Sequence, residues 1–216
     1  MAILLIRHGE TEGNRNRIIQ VPETPLSDRG LEQASRLGRR LASAGVSEIW
    51  TSHLARARMT AEAVLRTTGA ALREEPDLEE RNFGAIRGTA YADLGFDPFM
   101  PGYAPPEGET WEAFNDRVDR TWERIERHWF DHFRKAGEGR HLAIVSHGLF
   151  LRSLMERRLL SDEQLETHGD GKRQITIANT ALSVVAPVGD AGLRVELIAC
   201  TAHLDDETAN DADSIV

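Results

Sequence analysis

The sequence predicts an α/β fold in which a mostly parallel sheet is covered by helices on both faces. Three observations carry that prediction. Apolar runs of strand length recur at ILLI (3–6), VSEIWTS (46–52) and HLAIVS (141–146), two of them with the density of strands buried on both faces. Between them lie segments whose apolar residues recur at helical spacing. Strands and helices alternate for most of the length, as crossover-linked parallel strands require. The 216 residues suffice for one sizeable domain with a real core, placed here at 1–200.

The elements follow in order. After ILLI, SDRGLEQASRLGRRLASAG (27–45) reads as a helix with Ser27 as N-cap, an apolar face of Leu31, Ala34, Leu37 and Leu41, and Gly45 as its stop. VSEIWTS is the second strand, and Ser52 is placed to cap the helix that ends near Gly69. ALR (71–73) is read as a short strand, and Asp93 to Gly108, broken by Gly and Pro, as a long, partly mobile loop. Trp111, Phe114, Val118, Trp122, Ile125, Trp129 and Phe133, at steps of three and four, mark the longest helix and its core-facing stripe. HLAIVS is followed by a helix, GLFLRSLMERRLL. QITIANTALSVVAPV and LRVELIAC then read as two strands joined by a turn around Gly189–Gly192.

Composition narrows the function. Net charge is −9, which argues against nucleic acid or an anionic membrane as the main partner. Residues 201–216 carry Asp205, Asp206, Glu207, Asp211 and Asp213 without a Lys or Arg, and are expected to be a solvated, frayed acidic tail. No apolar run approaches the roughly 20 residues of a membrane-spanning helix. Residues 1–6 are too short for a signal peptide, and a lone Cys200 cannot form an internal disulfide, so the expected location is cytoplasmic. Oligomeric state is not legible.

The chemistry collects at the strand exits. ILLIRHG and LAIVSHG are both apolar strands that run into His-Gly, and EIWTS leads to a helix carrying Arg56 in its first turn. Ligands of open α/β sheets bind outside the carboxyl ends of the strands, where helix N-termini also point. Arg7, His8, Arg56 and His147, with Gly148, are therefore delivered to one edge of the sheet. Two arginines, two histidines and helix N-termini suit a compact, highly charged anion such as phosphate. Zinc is the rival ligand. However, the expectation is that a third or fourth ligand at helical spacing is missing, with HxxxH, HExxH and CxxC all read as absent, and two arginines would repel a divalent cation.

RHGET (7–11) with Asn14, TPLSDRG (24–30), SHLARARMTAE (52–62), LEERNFGAIRG (78–88), GET (108–110) and VSHG (145–148) stand in the order seen in the histidine phosphatase superfamily. The chain resembles its phosphoglycerate-mutase-like branch from residue 1 to about 185. The resemblance implies a three-layer α/β/α sandwich and a phosphohistidine mechanism needing no cofactor and no metal. His8 looks like the nucleophile. Arg7, Arg56 and His147 would line the phosphate pocket, and Asn14 and Gln20 would complete it. The leaving alkoxide needs a proton from an overhanging carboxylic acid. LEERNFG offers Glu79 and Glu80, and alignment with the family's run selects Glu80, with Glu79 as the fallback. A nucleophilic imidazole needs its Nδ1 hydrogen tied to a fixed acceptor. Gly9 is expected to leave space for that bond and for the phosphate.

The resemblance spans mutases and phosphatases. A mutase must grip a carboxylate and a second phosphate, yet no Lys or Arg occurs from Gly88 through Asp116. Tyr91, Phe96, Phe99, Met100 and Tyr103 stand there instead, so the lid of about 89–109 suits a phosphomonoester with an apolar or flat leaving group and water as acceptor. The reading is a small-molecule phosphatase; a mutase and a non-catalytic relative that binds phosphorylated ligands are the alternatives. Two departures stand out: Val21-Pro22 after Gln20, which puts that loop's contacts in question, and Leu149 after the His-Gly pair where a second glycine is frequent.

Overall fold

The computed structural model describes residues 1–133, 139–189 and 192–205. Six strands form one sheet: β1 (Ile3–Arg7), β2 (Val46–Thr51), β3 (Ala71–Glu74), β4 (His141–Ser146), β5 (Leu182–Val188) and β6 (Gly192–Cys200). Their order is β3-β2-β4-β1-β5-β6. The first four in that order are parallel, and β5 and β6 extend the sheet antiparallel. The helices are α1 (Glu12–Arg15), α2 (Asp28–Leu41), α3 (Ala55–Thr68), α4 (Trp111–His132), α5 (Gly148–Leu154), which runs on into a π-helical turn over Met155–Leu159, and α6 (Asp162–His168).

Alternation along the central strands makes three layers. Ile3 and Leu5 of β1, with Leu142 and Ile144 of β4, pack against Phe114, Val118, Trp122, Ile125 and Trp129 of α4 and Phe150, Leu151 and Leu154 of α5. Leu4, Ile6, Ala143 and Val145 point the other way, onto Leu37 and Leu41 of α2 and Ala57, Ala61 and Val64 of α3. Every residue of β4 is buried, so the expected apolar density has its cause in the two helical layers.

Local chemistry sets the helix ends. Ser27 caps α2 by accepting the Gly30 N–H at 3.1 Å, and Thr110 caps α4 by accepting that of Ala113 at 3.1 Å. Leu31 is 45% exposed rather than on the buried face of α2. Gly30 takes the inward position, so close that a Cβ there would lie 2.0 Å from the Glu10 carbonyl oxygen. Ser52 does not cap α3, whose N-cap is Leu54 without a side-chain bond; the Ser52 hydroxyl accepts the Leu54 N–H and faces His147 instead.

Two further expectations are corrected, for the last strands and for the tail, and the lid is seen to carry anchoring contacts. The strand expected from Gln174 begins only at Leu182. Residues 174–181 cross the sheet edge, giving the Ile177 carbonyl to Arg7 Nη1 at 2.5 Å and the Thr180 N–H to the Arg7 carbonyl at 3.1 Å. The lid is tied down: Tyr91–Asp93 form a 3-10 turn, and the fully buried Arg81 guanidinium donates to the carbonyls of Pro98, Tyr103 and Glu109 while stacking 3.9 Å from the Trp111 ring centre. The tail begins ordered, as a 3-10 turn over Ala202–Leu204 against α2; its remainder, 206–216, lies outside the described residues.

His203 anchors that turn. It is buried, with Nδ1 3.3 Å from Arg40 Nη1 and Nε2 3.0 Å from Thr180 Oγ1. Burial, with Arg40 and Arg36 nearby, pushes its pKa down to about 4 from 6.5. Between those values the unfolded chain carries the proton and the folded chain does not, so stability falls as pH drops through the window. The slope is about 1.4 kcal/mol per pH unit. Unfolding free energies measured by denaturant titration from pH 7 to 4.5 should therefore fall less steeply in His203→Gln than in the unsubstituted protein, by about one proton's share.

Candidate active site

A cavity of about 660 Å³ opens at the carboxyl ends of the parallel strands. Arg7, His8, Asn14, Gln20, Arg56, Glu80 and Gly148, all singled out by the sequence, line it. His147 does not reach the cavity wall. It is fully buried behind His8, the two ring centres 5.1 Å apart. Each residue is mounted on a strand exit or a helix start: Arg7 ends β1, Arg56 is the second residue of α3, and Gly148 opens α5. Gly148 also makes room for Arg7, since a Cβ would lie 3.4 Å from the guanidinium carbon.

The His8 Nδ1 donates to the Gly9 carbonyl oxygen at 2.7 Å, which leaves the Nε2 lone pair free. Burial, then the charges of Arg56 and Arg7, push the His8 pKa well below 6.5, so the ring is neutral at ordinary pH. Thr180 and Asn179 brace the His8 backbone, Thr180 N–H reaching the carbonyl at 3.3 Å and Asn179 Nδ2 at 3.0 Å. Gly9 supplies the acceptor of the expected local bond and also makes room for a neighbour that was not expected. Its missing side chain accommodates the Gly30 carbonyl, 2.7 Å from where a Cβ would stand, and its N–H donates to Thr60 Oγ1 at 3.0 Å.

The two arginines have no carboxylate in direct contact among the described residues, and the Nε of each is buried without a hydrogen-bond partner. Burial lowers both pKa values, that of Arg56 to about 10, and the Glu80 carboxylate opposes the shift in each. Groups this costly to desolvate persist where an anion completes them. The Val21-Pro22 departure finds its role here: the Val21 carbonyl accepts from Arg56 Nη1 at 3.3 Å and that of Pro22 from the Ala55 N–H at 3.2 Å. Asn14 Oδ1 is taken by the Thr11 N–H at 3.2 Å, and Gln20 Oε1 accepts from Thr11 Oγ1 at 2.9 Å.

The two candidate acids are placed differently. Glu80 lines the cavity and is held by backbone N–H groups, Leu149 at 3.0 Å on Oε2, and Phe150 at 3.2 Å and Arg81 at 3.0 Å on Oε1. Leu149 thus acts through its backbone as well as its packing. Glu79 is not on the cavity wall, and its carboxylate approaches His53 at 4.0 Å. Behind them Arg117 holds the backbone carbonyls of Asp77, Glu79 and Glu80 and pairs with Glu109 at 2.7 Å.

The outer wall was only partly legible. Tyr91, Phe99 and Met100 of the lid line it, whereas Phe96 and Tyr103 pair with each other at 4.9 Å, away from it. The basic residues absent from the lid arrive from elsewhere: Arg87, Arg152 and Lys172 all line the cavity. Arg152 had a signal, since it stands four residues after Gly148 and so on the same helix face; Lys172 had none. The reading that HxxxH is absent is corrected: His128 and His132 form such a pair on α4, with His128 bonded to Glu48 at 2.9 Å. Among the described residues no group of three His, Cys, Asp or Glu side chains could hold a metal ion, and no helix is long and apolar enough to cross a membrane.

Fold and cavity together define a class: an α/β/α sandwich with a histidine and two unpaired arginines at one sheet edge. The chain belongs to the histidine phosphatase superfamily (branch 1), whose sequence model matches residues 3–200. Fructose-2,6-bisphosphatase TIGAR B of Danio rerio is 35% identical over 127 residues, covering 54% of this chain and 49% of that protein. The chain thus spans about half the length of the TIGAR relatives it matches. The probable phosphoglycerate mutase GpmB of Serratia proteamaculans is 28% identical over 219 residues, 95% of each chain. Among solved structures, a putative alpha-ribazole-5'-P phosphatase from Escherichia coli superposes with a TM-score of 0.75 at 25% identity, over 93% of this chain and 97% of the other.

Proposed function

We propose that the chain is a phosphomonoester hydrolase working through a phosphohistidine on His8. The observation that supports this most strongly is the pair of unpaired guanidinium groups flanking a neutral imidazole whose Nδ1 is tied to its own loop. His8 Nε2 attacks phosphorus, the bond to the leaving oxygen breaks, and Glu80 gives that oxygen its proton. Water then attacks the phosphohistidine, returning its proton to Glu80 and releasing inorganic phosphate. Arg7 and Arg56 offset the charge on the equatorial oxygens throughout, so most of the catalysis is positioning and charge stabilisation.

Phe83, Tyr91 and Phe99 on the wall suit a leaving group with a flat or apolar face. A second reading rests on Arg87, Arg152 and Lys172, which favour a further negative group on the same substrate and are what a mutase would use. An assay with p-nitrophenyl phosphate in the presence of EDTA tests the first reading, with steady turnover expected. A panel of phosphoglycerates, sugar bisphosphates, nucleotides and aryl phosphates then separates the two. Release of inorganic phosphate from all accepted substrates marks a phosphatase, and isomerised phosphoglycerate a mutase. No turnover across the panel would leave only a phospho-ligand binder.

A further inference from the structure

Ser52 follows β2, fully buried and away from the cavity wall. Its Oγ accepts the Leu54 N–H at 3.2 Å and lies 2.8 Å from Nε2 of His147. A hydroxyl also has one hydrogen to donate. Among the described residues His147 Nε2 is the one acceptor within its reach. The ring itself is uncharged, because burial and the neighbouring Arg56, His8, Arg7 and Arg117 push its pKa well below 6.5. A neutral imidazole carries one hydrogen, and a ring that accepts at Nε2 bears it on Nδ1. His147 Nδ1 is buried and has no protein partner.

The opposite tautomer satisfies fewer groups. With the hydrogen on Nε2, the Ser52 hydroxyl would have no acceptor and the buried Nδ1 lone pair no donor. We infer that Ser52 is a positioning residue that fixes His147 as its Nδ1–H tautomer, so that this ring, set behind His8 with the ring centres 5.1 Å apart, presents a donor to the phosphoryl group once His8 carries it. The inference deepens the phosphohistidine reading, and rests on it for the identity of the group received.

The test is a two-bond proton–nitrogen correlation on the intact protein labelled with ¹⁵N-histidine. In the unsubstituted protein His147 should show a protonated, pyrrole-type Nδ1 and a pyridine-type Nε2. In Ser52→Ala the bias should relax to a mixture or reverse. The kcat for p-nitrophenyl phosphate should fall roughly 10- to 100-fold with KM little changed, the direction expected when a donor to developing charge is lost. Ser52→Thr, which keeps the hydroxyl, should restore both the tautomer and kcat. A hydrogen on Nε2 in the unsubstituted protein would overturn the inference, whether or not the alanine variant folds. So would an unaltered Nδ1–H tautomer with unaltered kcat in Ser52→Ala. The tautomer is read without turnover, so an inactive protein would count against the phosphatase reading alone.

Discussion

Replacing His8 with alanine should reduce phosphatase turnover to background while the protein stays folded. On the proposed reading the imidazole contributes the attacking Nε2, and two neighbouring serines are engaged elsewhere. The Ser146 hydroxyl is given to the Leu78 carbonyl at 2.7 Å, and that of Ser52 faces His147. Arg7 and Arg56 remain in the variant, so calorimetry should still detect binding of inorganic phosphate. Circular dichroism and thermal melting check the fold. Active enzyme quenched in mid-turnover should carry phosphate that is acid-labile and base-stable, as a phosphoramidate is; an acid-stable adduct would refute His8 as nucleophile. The depressed His8 pKa adds a pH signature. The free base persists below pH 6.5, so the acidic limb of kcat/KM should not reflect an unperturbed histidine near that value.

Glu80→Gln should slow hydrolysis of alkyl phosphates by on the order of 10²–10⁴ and of p-nitrophenyl phosphate much less. An alkoxide cannot depart without a proton, whereas nitrophenolate can. The glutamine variant keeps an oxygen for part of the Leu149, Phe150 and Arg81 N–H set and sets an NH₂ against the rest. A stability loss of about 1–3 kcal/mol is expected from that mismatch. Glu79→Gln serves as the control, with little effect on either substrate. Steady-state rates across leaving groups of graded basicity decide the matter: if the steep dependence appears in Glu79→Gln instead, the acid is the other residue.

The sheet and the inner cradle were legible because each rests on short-range patterns. Strands buried on both faces are uniformly apolar, and residues just past their ends must sit at one sheet edge, so Arg7, His8 and Arg56 could be brought together without any knowledge of the loops. What escaped was decided by tertiary partners. Residues 174–181 have β-rich composition, yet the Ile177 carbonyl, the Thr180 N–H and the Ala181 carbonyl bond to Arg7 and His8, the Ile175 N–H bonds to the Glu156 carboxylate, and only an isolated bridge to Gly169 is strand-like. Leu31 falls in the apolar register of α2 but is displaced by the need for a glycine against Glu10. His203 sat in a stretch read as solvated acid, because nothing in TAHLDD announces that one imidazole reaches Thr180. Arg87, Arg152 and Lys172 were missed as a set because they converge from three separate segments.

Arg81 gathers the entire 98–109 stretch through three carbonyls, and it is the immediate neighbour of Glu80. A single guanidinium therefore ties the roof over the departing group to the residue that would protonate it. Insertions or deletions in the roof would be transmitted to the carboxyl next door, so altering what the enzyme accepts also alters how well it expels it. Relatives with different appetites would be expected to vary the roof's side chains more freely than its length.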